Sequence, residues 1–192
     1  LAWPTVYVVD AASGAVAARH VGGGSVEQVE HLLAEGLRGV RADRSGGIAE
    51  RVRRAHAAET RDAWGRAAEL YRAALAEAPE DWPRRPDVLV SAARALSRAG
   101  ENDACLELAE RWGLETGASA SAADFALYAH RCARALDVPA RAKPLLERLV
   151  EHVERAVEAK AGMSVDDRSD ALRILREIML SLGEEEAARA FA

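Results

Sequence analysis

Two cysteines, Cys105 and Cys132, and five histidines, His20, His31, His56, His130 and His152, carry the side chains best suited to redox, nucleophilic or metal chemistry. Their spacing favours none of these. The cysteines lie 27 residues apart on predicted helices, outside any metal or redox spacing, and are expected to be buried thiols acting as small apolar residues. The histidines form no His-x-x-x-His pair and no ligand cluster, so partly exposed or core-edge imidazoles are expected, with no metal and no cofactor. His20 and His31 would come close if the second strand packs on the following helix, but no third ligand accompanies them.

Other polar motifs have local explanations. Gly22-Gly23-Gly24 precedes a helix but lacks both the G-x-G-x-x-G pattern and a P-loop lysine, and reads as a connector. Ser13 fits a turn and Ser25 a helix N-cap, with Gln28 in the capping-box position, and no Ser-His-acid order stands out. Glu184-Glu185-Glu186 suits the first turn of a helix rather than a catalytic carboxylate pair. Trp64, Trp82 and Trp112 read as packing between helices. Trp82 is the aromatic to test for binding, because the connector Trp82-Pro83-Arg84-Arg85-Pro86 is expected to hold it at the surface.

The totals agree with a non-catalytic reading. A net charge of -5 argues against a nucleic-acid partner, which needs a basic footprint. The arginines between Arg38 and Arg61 read as a solvated helix face and linker. Arginine displaces lysine almost everywhere, Lys143 and Lys160 being the exceptions, which suggests a GC-rich, bacterial coding sequence. No apolar run is long enough to span a membrane, and the N-terminus lacks a signal-peptide pattern, which leaves the compartment open. Apolar residues make up 49% of the chain but aromatics only 5%, so the core must be Ala, Leu and Val in closely packed helices.

The elements that position these residues fall into two unlike parts. The run from Trp3 to Asp10 reads as a strand with Val6 and Val8 on one side and Tyr7 and Val9 on the other. Such a strand belongs in a sheet covered on both faces. A turn, a second run from Ala15 to Val21 and a helix with Val26, Val29, Leu32, Leu33 and Leu37 on one face complete residues 1–40. Gly36 and Gly39 weaken the end of that helix, and 41–47 reads as a linker. The chain thus opens in mid-fold: the expectation is a piece of a longer protein, or a fold that has lost a part. Two strands alone are marginal, so they should dock on the helices, self-associate through the exposed sheet edge, or fray.

From Ile48 onward the pattern is helical throughout, and its punctuation repeats. Asp62, Gly100, Asp137 and Gly183 each end a helix, and five residues later stand Ala67, Cys105, Ala142 and Ala188. Tyr71, Ala109, Leu146 and Ala192 follow four residues beyond. A recurrent small residue lets antiparallel helices approach, and breaks roughly 37 to 46 residues apart suit helical solenoid repeats. Ser121 with Asp124, and Ser164 with Asp167, read as capping signals. Pro144 belongs in the early turns of its helix.

Residues 1–40 resemble the C-terminal half of a thioredoxin-like domain, on Trp3-Pro4-Thr5, the strand through Asp10, the Ser13-Gly14 turn, the second strand and the helix. The resemblance implies that Pro4 is cis and that Trp3, Pro4 and Thr5 border a substrate groove. The family's Cys-x-x-Cys, which belongs upstream of this proline, is absent, so no thioredoxin-type activity is expected of the chain as it stands. Residues 48–192 resemble tetratricopeptide-type repeats, most clearly from Trp64 to Pro79 and then from Leu89 to Ala109. That resemblance implies a protein or peptide partner. The fold expected is therefore mainly α: a helix-pair solenoid after a small β-β-α unit. The function expected is a protein-interaction module, the alternative being a segment of a thiol–disulfide oxidoreductase whose Cys-x-x-Cys precedes residue 1.

Overall fold

The computed structural model describes residues 5–11, 16–21, 26–43, 47–117, 119–159, 163–189 and 191. Trp3, Pro4 and the expected cis peptide, Ser25, and Gly22-Gly23-Gly24 lie outside the described residues. Strands β1 (Thr5–Val9) and β2 (Val16–Val21) pair antiparallel, with Thr5 opposite Val21, Val8 opposite Ala18 and an irregularity between Val8 and Val9. Among the described residues these two strands make up the whole sheet, so each has one edge unpaired.

Helix α1 (Val26–Asp43) lies on the hairpin, and here two expectations are corrected. Gly36, expected to weaken the helix end, is also what permits the contact. A Cβ at Gly36 would stand 2.5 Å from Val8 Cγ1, so only glycine brings α1 this close to β1. The helix then continues through Arg41 to Asp43, into the stretch read as a linker. The second correction concerns its apolar face. Leu32 is buried, but Val26, Val29, Leu33 and Leu37 are exposed, as are Val6, Tyr7 and Val9 of β1. One side of α1 is all that a two-stranded hairpin can cover.

The rest is helical, and no described residue after Val21 is in a strand. The helices are α2 (Gly47–Glu59), α3 (Trp64–Glu77), α4 (Arg85–Ala99), α5 (Asn102–Trp112), α6 (Ala120–Leu136), α7 (Pro139–Ala159), α8 (Val165–Leu182) and α9 (Glu185–Arg189), with a 3-10 helix at Gly113–Thr116. All four punctuating residues have left-handed backbones: φ is 55° at Asp62, 74° at Gly100, 52° at Asp137 and 81° at Gly183. A left-handed residue reverses the chain after a helix, which glycine does without strain and aspartate tolerates. The small residues that follow, Ala67, Cys105, Ala142 and Ala188, are all buried.

Consecutive helices pack as neighbours, and α4, α6 and α8 also touch in that order, with α3, α5 and α7 beside them. One apolar core runs from Val52 to Ala188. Tyr71, Phe125, Leu89, Leu106 and Leu149 are its large members, and alanines fill the helix crossings. Close approach recurs at Gly113, where a Cβ would lie 2.9 Å from Leu149 Cδ2 and 3.3 Å from Phe125 Cε1. Pro144 sits inside α7, in its second turn.

Cys105 and Cys132 are the third correction. They are bonded as a disulfide between α5 and α6, Cα to Cα 6.3 Å, both wholly buried. Antiparallel packing of successive helices brings together residues that sequence spacing keeps apart. Capping gave one agreement and one difference. Ser164 and Asp167 form a reciprocal capping box at α8. At α6 the N-cap is Ser119, not Ser121; Ser121 lies in the first turn and its Oγ donates to Asp87 Oδ1 at 3.5 Å.

A candidate docking cleft between the α3–α4 connector and α5

The connector from Ala78 to Arg84 is held shut by its own turns. Trp82 N–H donates to the Pro79 carbonyl at 3.1 Å, and Arg85 N–H to the Trp82 carbonyl at 3.0 Å. Pro79 and Pro83 fix two of its φ angles. Arg85, in the first turn of α4, reaches back: its Nη2 donates to the carbonyls of Ala78 at 2.9 Å and Pro79 at 3.1 Å. A guanidinium there serves carbonyls just past the end of α3, where the helix dipole favours positive charge.

This folding turns Trp82 inward. Its side chain is only 8% exposed, so the surface position expected for it is corrected. Wedged beneath the connector, it forms part of the lining of a cleft of about 870 Å³ together with Leu75, Arg85, Trp112, Glu80 and Glu115. Trp112 closes α5 with its ring half-buried, and the Arg111 guanidinium lies 4.4 Å from the ring centroid, a cation–π stack. Trp64 is partly buried against the core, as packing between helices requires, with Arg98 5.8 Å from its ring.

The electrostatics of the cleft are uneven. Arg85 is 6% exposed, and Glu115 Oε2 lies 3.5 Å from its Nε, close enough to neutralise it. Even so, Nε makes no hydrogen bond. Glu80 and Asp81 are exposed on the connector and have no ion-pair partner among the described residues. Aromatic walls, a buried guanidinium and exposed carboxylates at the lip make this the candidate binding surface. Its lining holds no Ser, Thr, Cys, Lys or His.

A second polar group lies deeper and differs in kind. Arg94 of α4 donates to Glu59 of α2 at 2.7 Å, and the Tyr71 ring of α3 meets His56 edge-on at 5.7 Å between centroids. Burial raises the Tyr71 phenol, with the neighbouring Glu59 carboxylate adding to it. Burial lowers His56 despite Glu59. These groups face one another across three helices and fix their register. His130 is buried between α6 and α8, with Glu177 Oε1 3.8 Å from its Nδ1, deeper than the core-edge position expected. His152 meets Thr116 Oγ1 at 3.2 Å.

No protein-family model matches the chain, and no curated protein matches it.

Of the sequence-derived site, Thr5 opens β1, while Trp3 and Pro4 lie outside the described residues, and the expected groove with them. Among the described residues no three His, Cys, Asp or Glu side chains are grouped to hold a metal ion, and no helix is long and apolar enough to cross a membrane. Sequence reasoning reached Trp82 but missed Arg85 and Trp112 as its partners. The signal available was an arginine between two prolines at a helix start, a place where a long side chain folds back on the preceding helix.

Proposed function

We propose that residues 48–192 are a tetratricopeptide-like helical-repeat module that binds a segment of a partner protein, and that residues 1–40 are a thioredoxin-like adaptor without redox chemistry of its own. The observation that carries the reading is the Trp82–Trp112 cleft. Its connector is tied by two prolines and the Arg85 bracket, so little freedom is lost on binding. The left-handed breaks and buried small residues support the repeat reading. The hairpin followed by a helix packed on it supports the adaptor reading, and its free strand edges suit pairing with a further strand or copy.

The alternative, a piece of a thiol–disulfide oxidoreductase, has the same hairpin and helix in its favour. Cys105 and Cys132, buried in one disulfide on α5 and α6, cannot supply its thiolate, so that reading rests wholly on a Cys-x-x-Cys preceding residue 1. Selection of displayed random peptides on the full chain tests the choice. Ala76 is exposed on α3 at the cleft, so Ala76→Gln obstructs it without touching the core. Selected peptides are expected to lose roughly tenfold or more in affinity for Ala76→Gln, about 1.4 kcal/mol. Equal binding to both proteins would refute the cleft as the docking site.

A further inference from the structure

Resting on that cleft as the docking site, we propose that its occupant is an extended, proline-containing segment that presents a lysine or arginine beside an apolar side chain. The charge layout decides the sign. The cation inside the cleft, Arg85, is already taken up by the Ala78 and Pro79 carbonyls and by Glu115. An anionic ligand reaching Arg85 would lie against the Glu115 carboxylate. Of the other charges lining the cleft, the Arg111 guanidinium is stacked on the Trp112 ring, while Glu80 and Asp81 are exposed and without an ion-pair partner among the described residues, so with Glu115 the acids outnumber the cations. A basic side chain is what they accept, at a surface where such pairs set specificity.

The apolar lining decides the backbone. Leu75, Trp82, Pro83 and Trp112 carry no side-chain acceptor, so a ligand amide N–H laid on them, away from the Glu80, Asp81 and Glu115 carboxylates, would be left unpaired. Proline has no N–H, and a polyproline-type segment places its rings on aromatic walls. Such a segment keeps its carbonyls outward.

Fluorescence anisotropy with three end-blocked probe peptides of about nine residues tests this on the full chain. All three share one proline–leucine frame and carry two arginines, two glutamates or two glutamines. The arginine probe is expected to bind roughly tenfold tighter than the glutamate probe, and the gap to close in about 1 M salt. Glu80→Gln with Asp81→Asn, two exposed positions, should weaken the arginine probe about fivefold and leave the glutamine probe unchanged. Equal binding of the three probes, tighter binding of the glutamate probe, or an arginine probe indifferent to the double substitution overturns the proposal. If Ala76→Gln still abolishes that binding, the docking cleft survives and only the partner's charge is wrong. If no probe binds, the partner chemistry is wrong, and the displayed-peptide selection decides separately whether the cleft binds anything.

Discussion

The β1–β2–α1 unit and the helices that follow it are both rich in apolar residues, yet they place them differently. Leu33 and Leu37 of α1 are 50% and 58% exposed, and Tyr7 of β1 is 54% exposed. In the helical part, Phe125, Leu89, Leu106 and Leu149 are shut away. What separates the regions is the number of layers. A hairpin and one helix bury one side of each element, whereas helices stacked through alanine contacts cover one another on several sides. Stability should therefore reside in the helical block, and the first unit should open locally at lower cost.

The largest effect sharpens this contrast. Phe125→Ala removes a fully buried ring at the point where Gly113 approaches α6, and should cost about 3–5 kcal/mol in denaturant unfolding. Leu37→Ala on α1 should stay within about 0.5 kcal/mol. Hydrogen exchange should show α2 to α8 losing protection in Phe125→Ala, with little change in β1, β2 and α1. Equal losses from the two substitutions would mean that the first unit shares the helical core.

The disulfide comes next. It closes a loop across 27 positions between α5 and α6, and chain entropy assigns such a link about 3.5 kcal/mol. Cys105→Ala with Cys132→Ala should lower the urea midpoint of the helical block accordingly. Because both sulfurs are wholly buried, reductant should act on the wild type only after unfolding. Rapid reduction of the native protein would show that α5 and α6 part more easily than their packing implies.

Which of these features could be read in the residue order follows from how local each one is. The reversals at Asp62, Gly100, Asp137 and Gly183 and the capping box of Ser164 and Asp167 are decided within a few residues, and the pattern carries them. Gly36 and Trp82 are decided by what lies across the fold. Gly36 reads as a helix weakener until Val8 is seen against it. Trp82 reads as surface until the connector folds over it. The cysteine pair and the Arg85 bracket belong to the same class, since each depends on helices packing, not on spacing. The docking cleft was thus legible only as one aromatic among prolines.

The third test uses protons. His56, His130 and His152 all lie in the helical block, and burial lowers the pKa of each below the ordinary 6.5; Glu177 opposes this at His130, and Arg134 and Arg131 add to it. The unfolded chain then binds more protons than the folded one just below pH 6.5. Stability is full above that value and falls as pH drops through it toward the folded pKa values, by at most about 1.4 kcal/mol per pH unit for each histidine. His130→Leu should make urea midpoints between pH 5 and 7 less steep. An unchanged slope would place the proton uptake elsewhere.

The smallest effect concerns whether surface charge contributes to the contrast at all. Arg141 of α7 grips α5 with two bonds to Glu110, at 2.8 and 3.1 Å, and one to Asp103 at 3.1 Å. The hydrogen bonds from Arg141 hold the Glu110 carboxyl below its usual range, so this contribution is present above about pH 4.5 and lost as pH falls through the lowered value. Asp103 and Glu110 are exposed and Arg141 is partly so, and solvent screens them. Arg141→Ala should therefore cost under about 1 kcal/mol, and less in about 1 M salt. Arg141→Lys should recover only part of it, because an ammonium cannot bond both Glu110 oxygens in a fork. A loss approaching that of Phe125→Ala would mean that α5 and α7 are held by charge, and the division between a closed core and an open hairpin would no longer explain where this protein is stable.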